Sequence, residues 1–181
     1  MTELIHGLEI TSMVHGGRGI GHCDGKAVFV PLTMPGDLVN CRVVKSKKRY
    51  SEADLTEVIR PSSLRRQPPC PFFGTCGGCQ WQHLPYSEQL RWKEQIFSDL
   101  MTRNHLVLDD RIKPIVQAQD EWNYRNRVQL KCRLTTKGLA IGFYRHGSHS
   151  VVDIDRCCLV DPQIQSVLAL LRSELTQMPR P

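Results

Sequence analysis

The sequence predicts a mixed β and α+β chain: a small β-barrel, a cysteine-bearing loop, a helix, and a small antiparallel sheet with a C-terminal helix. Three observations predict it. Short alternating runs separated by turn residues fill the first third, a Cys/Pro/Gly segment follows, and helical spacing of apolar residues begins only after that.

Residues 8–13 alternate and lead into the glycine-rich run Gly16-Gly17-Arg18-Gly19-Ile20-Gly21. Asp24-Gly25 is a hairpin signal ahead of the strand Ala27-Val28-Phe29-Val30. Pro35-Gly36-Asp37 turns the chain into a strand at 38–44, and an alternating run at 53–59 closes the block. Strands this closely spaced, without a helical period, predict a small barrel over 1–61. Residues 62–85 form a linker and the cysteine loop, opening on Ser62-Ser63-Leu64-Arg65-Arg66-Gln67-Pro68-Pro69. An α+β region spans 86–181. It starts with a helix over Tyr86–Arg103, in which Leu90, Phe97, Leu100 and Met101 share a stripe. A hairpin turning at Thr135-Thr136-Lys137-Gly138 pairs the alternation Val128, Leu130, Cys132, Leu134 with Leu139, Ile141, Phe143. Residues 151–154 add a third strand. Asp161-Pro162 caps a last helix with an apolar stripe of Ile164, Val167, Leu168, Leu171 and Leu175, stopping at Met178-Pro179-Arg180-Pro181.

No apolar run approaches the roughly 18 residues of a membrane span, and the first residues form no secretory signal, so a cytoplasmic protein without membrane contact is expected. In that reducing compartment eight cysteines point to metal or catalysis rather than disulfides. The net charge of +6 favours polyanionic partners.

Cys76-Gly77-Gly78-Cys79 sets two thiols close enough to share a metal, and Cys70 lies within folding reach as a third. Gly74, Gly77 and Gly78 allow tight turns that aim N–H groups at sulfur. Cys157 or Cys158 can supply a fourth thiol. Spacing alone favours an iron–sulfur cluster but keeps zinc on Cys70, Cys76, Cys79 and His83 open. Cys23, Cys41 and Cys132 sit in strand-like patterns and are expected to be small buried hydrophobes.

The run Pro68-Pro69-Cys70-Pro71-Phe72-Phe73-Gly74-Thr75-Cys76-Gly77-Gly78-Cys79-Gln80-Trp81-Gln82-His83-Leu84-Pro85-Tyr86, with Gln89 and Lys93, resembles the RNA uracil-5-methyltransferase family. It is most similar to that family's iron–sulfur 23S rRNA branch. Gly16-Gly17-Arg18-Gly19-Ile20-Gly21, Phe29-Val30-Pro31 and Pro35-Gly36-Asp37 resemble its OB-like TRAM domain. Tyr124-Arg125-Asn126-Arg127, Gly142-Phe143-Tyr144-Arg145 and the stretch 148–157 extend the resemblance to nearly the whole chain. It implies a [4Fe–4S] cluster on Cys70, Cys76, Cys79 and Cys157, the last preceded by Asp153 as in the family's Asp-x-x-x-Cys. Cys158 stands where the family commonly has proline.

The resemblance also implies RNA as partner, with ribosomal favoured over transfer RNA, and a monomer is expected. Arg18, Lys47, Lys48 and Arg49, with Lys45 and Arg60, form the basic side of the barrel. Arg125, Arg127, Lys131, Arg133 and Arg145 are candidates for a second phosphate-contacting face, against the reading of a plain solvent face of a half-buried sheet. The family's catalytic thiolate, its base and its S-adenosylmethionine loop are implied to lie in a C-terminal Rossmann-like domain, and no residue here matches them. The 181-residue chain alone is therefore expected to be inactive. The alternative is a freestanding metal-stabilised RNA-binding module.

Overall fold

The computed structural model describes residues 3–106, 111–136 and 138–177. It divides the chain into two compact units. The first comprises Met1–Gln67 with Gln80–Gln117, the second Pro68–Cys79 with Ala118–Pro181. These boundaries differ from 1–61, 62–85 and 86–181, because the helix after the cysteine loop packs with the N-terminal sheet and the loop itself packs with the second sheet.

The first unit is a curled six-stranded sheet of β1 (Leu4–Glu9), β2 (Ser12–Val14), β3 (Arg18–Cys23), β4 (Lys26–Pro31), β5 (Leu38–Ser46) and β6 (Tyr50–Arg60), in the order β1-β5-β6-β4-β3-β2. All pairs are antiparallel except β4 with β6. Residues 8–13, expected as one strand, divide between β1 and β2. The glycine-rich run that follows is largely strand β3. Gly19 and Gly21 explain the division. A Cβ on Gly19 would strike Thr33 and Ile10, and one on Gly21 would strike Leu8 and the Glu9 carbonyl, so the glycines let the β1–β2 corner fold over β3. Asp24 and Gly25, both with positive φ, form the predicted tight hairpin turn. Inside the curl Ile5, Leu8, Ile10, Val28, Val30, Val39, Cys41, Val43 and Ala53 form the core.

The segment expected as a free linker is pinned to this sheet. Asp37, fully buried, accepts N–H bonds from Met34 and Ser62 at 2.9 and 2.8 Å and pairs with the Arg65 guanidinium. Arg66 donates from its backbone to His83 O and from Nε to Gln82 O. Helix α1 (Tyr86–Arg103) buries Gln89 and Trp92, with Ile96 packed alongside, against Met13, Met34 and Leu84. Phe97 and Leu100 of the expected stripe are about half exposed, at 48% and 51%.

In the second unit β7 (Lys131–Thr135), β8 (Gly138–Tyr144) and β9 (Val151–Asp153) form an antiparallel sheet, and α2 (Pro162–Gln177) follows. Asp161 Oδ1 accepts from Gln163 N–H at 2.8 Å, the predicted cap. Ile141, Val152, Ile154 and Leu168 are buried here, with Phe72, Cys76, Leu139, Phe143, Cys157 and Leu175 half-buried around them. Val167, Leu170 and Leu171 of α2 stay exposed. Cys132, expected to be buried, is exposed, as is Leu134. Both lie on β7, an edge strand, whereas α2 packs on β8. Lys137 of the expected turn and the helix stop at 178–181 lie outside the described residues. No helix among the described residues is long and apolar enough to cross a membrane.

Candidate metal centre and nucleic-acid interface

The cysteine loop is built by short-range bonds and then fastened to the second sheet. Phe73 N–H donates to Cys70 O, and both Thr75 and Cys76 N–H to Phe72 O, which winds 70–76 into consecutive turns with Gly74 at φ +83°. Cys76 then bridges to Arg145, and Gly77 N–H donates to Tyr144 O at 2.9 Å. A Cβ at Gly77 would collide with Tyr144 O and the His146 backbone, so only glycine lets the loop approach the end of β8 this closely. Of the three glycines expected to aim N–H groups at sulfur, Gly78 donates to Cys76 Sγ at 3.4 Å, and the Gly77 N–H donates to Tyr144 O.

The return segment after β9 is fixed from α2. Gln165 Oε1 accepts from Cys157 N–H and its Nε2 donates to Asp155 O, both at 2.9 Å. Arg172 donates to Asp153 Oδ1, Ile141 O and Ile154 O, and Asp153 also accepts from Ile141 N–H. Partial burial works to raise the Asp153 pKa, but the Arg172 and Ile141 bonds outweigh it and hold the carboxyl below its ordinary range. Asp153 therefore shapes the strand that delivers Cys157. Gln165 and Arg172 were not legible as site residues, because a helical Gln and Arg look like ordinary surface positions.

Five half-buried thiols result: Cys70, Cys76, Cys79, Cys157 and Cys158. Cys76 and Cys157 pack against the same core. Burial pushes the Cys76 thiol up, the Gly78 N–H works against that, and nearby Cys157 and Cys70 push the same way as burial. Burial also raises Cys158, which lies beside Cys70 and Cys157 and hydrogen-bonds Cys70. The two candidates for the fourth ligand are thus both at the site. Among the described residues no three His, Cys, Asp or Glu side chains converge closely enough to hold a single metal ion. Cys70, Cys76, Cys157 and Cys158 are soft thiol donors of the kind taken by zinc and by iron–sulfur clusters alike. His83 lies in the other unit, fully buried, its Nε2 3.1 Å from Thr33 O. Burial lowers its pKa to about 4, so it is neutral at physiological pH.

The predicted cations fall into distinct environments. Lys47, Lys48 and Arg49 stand exposed at the tip between β5 and β6. Arg18 stacks over Phe29, 5.2 Å from the ring centroid, and lies 3.8 Å from Glu52, which also meets Lys45 at 3.6 Å. Part of its charge is therefore already answered. In the second unit Arg125 is half-buried, bridged to Val160, and its charge lowers the Cys76 thiol. Arg127 is exposed but precedes β7 rather than lying on a strand. Arg133 and Arg145 are exposed, and Lys131 sits 5.5 Å over the Tyr144 ring.

Comparison with known proteins agrees with this geometry. The TRAM domain family matches residues 5–56. A protein named as an RNA methyltransferase from Aquifex aeolicus is 40% identical over 93% of this chain and 39% of its own length. A 23S rRNA (uracil(1939)-C(5))-methyltransferase RlmD from Shewanella amazonensis is 35% identical over 94% of this chain and 39% of its own length. Among solved structures, the Pyrococcus abyssi tRNA (uracil-54, C5)-methyltransferase in complex with S-adenosyl-L-homocysteine superposes with a TM-score of 0.60 at 25% identity, covering 93% of this chain and 36% of that one. The chain thus spans well under half the length of the relatives it matches. The chain carries a TRAM domain at residues 5–56, and over nearly its whole length it is similar in sequence and in fold to RNA uracil-5-methyltransferases.

Proposed function

We propose that this chain is the RNA-recognition and [4Fe–4S]-binding part of an S-adenosylmethionine-dependent RNA uracil-5-methyltransferase. Its substrate is RNA of the cytoplasm, ribosomal rather than transfer RNA, since the relatives named for 23S rRNA are nearer in sequence than the transfer-RNA enzyme. The observation that carries the reading is the gathering of thiols from the 70–79 loop and the 157–158 return on one small core.

Cys70, Cys76, Cys79 and Cys157 would hold the cluster, with Cys158 as the neighbouring spare thiol. With four protein thiolates the cluster would offer no open iron, so it supplies a structural tie rather than a reaction site. The chain's own residues do the positioning: Gln165 and the Asp153–Arg172 pair hold the return segment, and Gly77 and Gly78 hold the loop. The exposed cations at 47–49 supply nonspecific attraction to phosphate. Methyl transfer belongs to a further domain.

The test is anaerobic purification followed by metal and sulfide analysis and a visible spectrum. Iron and sulfide in equal amounts with a broad thiolate-to-iron absorption are expected, and colourless zinc would contradict the reading. The same preparation should leave uridine in RNA unmethylated when supplied with S-adenosylmethionine. Turnover by the chain alone would refute the division of labour.

A further inference from the structure

The register of the small sheet sorts its side chains onto two faces. Leu139, Ile141, Phe143 and Val152 turn toward the core that Leu168 and Leu175 of α2 share. Lys131, Arg133, Tyr144 and Val151 lie on the other face, because Lys131 pairs with Gly142, Arg133 with Ala140 and Tyr144 with Val151. Together with His149, and with Leu130 and Cys132 of the core-facing side of the strand, they line a groove of about 350 Å³.

The groove carries both aromatic surface and positive charge. The Tyr144 and His149 rings meet edge to face, 5.3 Å between centroids and 71° between planes. Lys131 lies over Tyr144, and Arg133 Nη1 reaches His149 O at 3.5 Å. Among the described residues no carboxylate pairs with Lys131 or Arg133. The nearest candidate by register, Asp153, is already tied to Arg172. Cross-strand neighbours Ala140 and Gly142 add little bulk beside the cations. Such a volume falls at the lower end of ligand pockets, about 300–1,000 Å³, enough for one base with its sugar.

We propose that this groove binds one unpaired nucleotide of a single-stranded RNA segment. The base stacks on Tyr144, with the His149 ring at its edge, and the flanking phosphates meet Lys131 and Arg133. The proposal rests on the RNA-recognition reading above and goes further by naming what the face takes: an extruded base, which a duplex keeps inside its stack. A polyanion held by charge alone would need the lysine and arginine but not the rings.

The experiment is a fluorescence titration of the 181-residue chain with a short single-stranded RNA carrying one 2-aminopurine, over a range of salt. Tyr144→Leu should weaken binding about tenfold or more and abolish the stacking quench, with the salt slope unchanged. Tyr144→Phe should restore both. Lys131→Ala should lower the salt slope by about 0.7 and leave the quench in place. If Tyr144→Leu binds and quenches like the unsubstituted chain, the groove proposal fails while RNA binding through other cations stands. If the unsubstituted chain binds no RNA, the RNA-recognition reading fails and this proposal with it. Should Tyr144→Leu not fold, photocrosslinking of 4-thiouridine RNA to the unsubstituted chain decides: crosslinks within 131–151 support the groove, and crosslinks only elsewhere overturn it. Displacement of the RNA by polyglutamate, with Tyr144→Leu silent, would mark a mere charge patch and also overturn it.

Discussion

The two units solve the same problem of stability with different means. The first encloses nine buried hydrophobic residues in a curled sheet, adds a second cluster around Trp92, and satisfies its buried Asp37 with two N–H bonds and a guanidinium. Among the described residues the second has four buried hydrophobic residues in its main cluster, with Ala140, Leu159 and Val160 buried outside it, and two of those packed around the cluster are cysteines of the thiol site. A thiol at such a position contributes little more than a small hydrophobe. Small domains with thin cores commonly depend on a metal or on disulfides. The first unit is therefore expected to fold on its own residues, and the second to lean on the metal cluster proposed for its thiol site.

Breaking the thiol site should give the largest effect. Cys76→Ser is expected to cost the second unit its fold, so that its backbone NMR resonances collapse toward random-coil positions while those of 3–66 keep their dispersion. Uniform loss in both units would erase the contrast. Next in size is the buried ion pair of the first unit. Arg65→Met leaves Asp37 buried without its guanidinium, and denaturant unfolding of the first unit should show a loss of about 3–5 kcal/mol. A loss under about 1 kcal/mol would place the stabilisation in the two N–H bonds instead.

Smaller again is the response to acid. The folded-state pKa of His83, about 4, lies below its ordinary value of 6.5, so the unfolded chain takes up the proton first as pH falls. This contribution to stability is complete above pH 6.5 and is lost on descending toward pH 4, by about 3 kcal/mol in all. Urea unfolding of the first unit between those pH values should show the slope, and His83→Gln should flatten it. An unchanged slope in the variant would assign the acid sensitivity to other groups.

Legibility in the sequence follows the same divide between local and non-local signals. Asp24-Gly25, the cap at Asp161 and the β7–β8 alternation are local, and the turn and the cap formed where their residues pointed, as did the hairpin from Lys131 onward, although the expected strand reached back to Val128. The cysteine loop was legible for a similar reason, since its spacing is a property of the chain itself. The misread features depend on what packs where. Residues 8–13 look like one strand until Gly19 and Gly21 let the β1–β2 corner cross them, and Arg65 and Arg66 look like linker charge until Asp37, Gln82 and His83 receive them. Cys132 sits in a correct alternation, yet it lies on the edge strand β7, whereas α2 packs on β8. Leu90, Phe97 and Leu100 satisfy a helical stripe, but the sheet selects the neighbouring face of Gln89, Trp92 and Ile96.

The dependence of the second unit on the proposed cluster is tested most directly by hydrogen exchange on one anaerobic preparation, iron-loaded and then stripped by chelation. Amides of β7, β8 and β9 should lose their protection on stripping, while those of β3 to β6 keep theirs. Equal protection of the small sheet in both states would contradict the account.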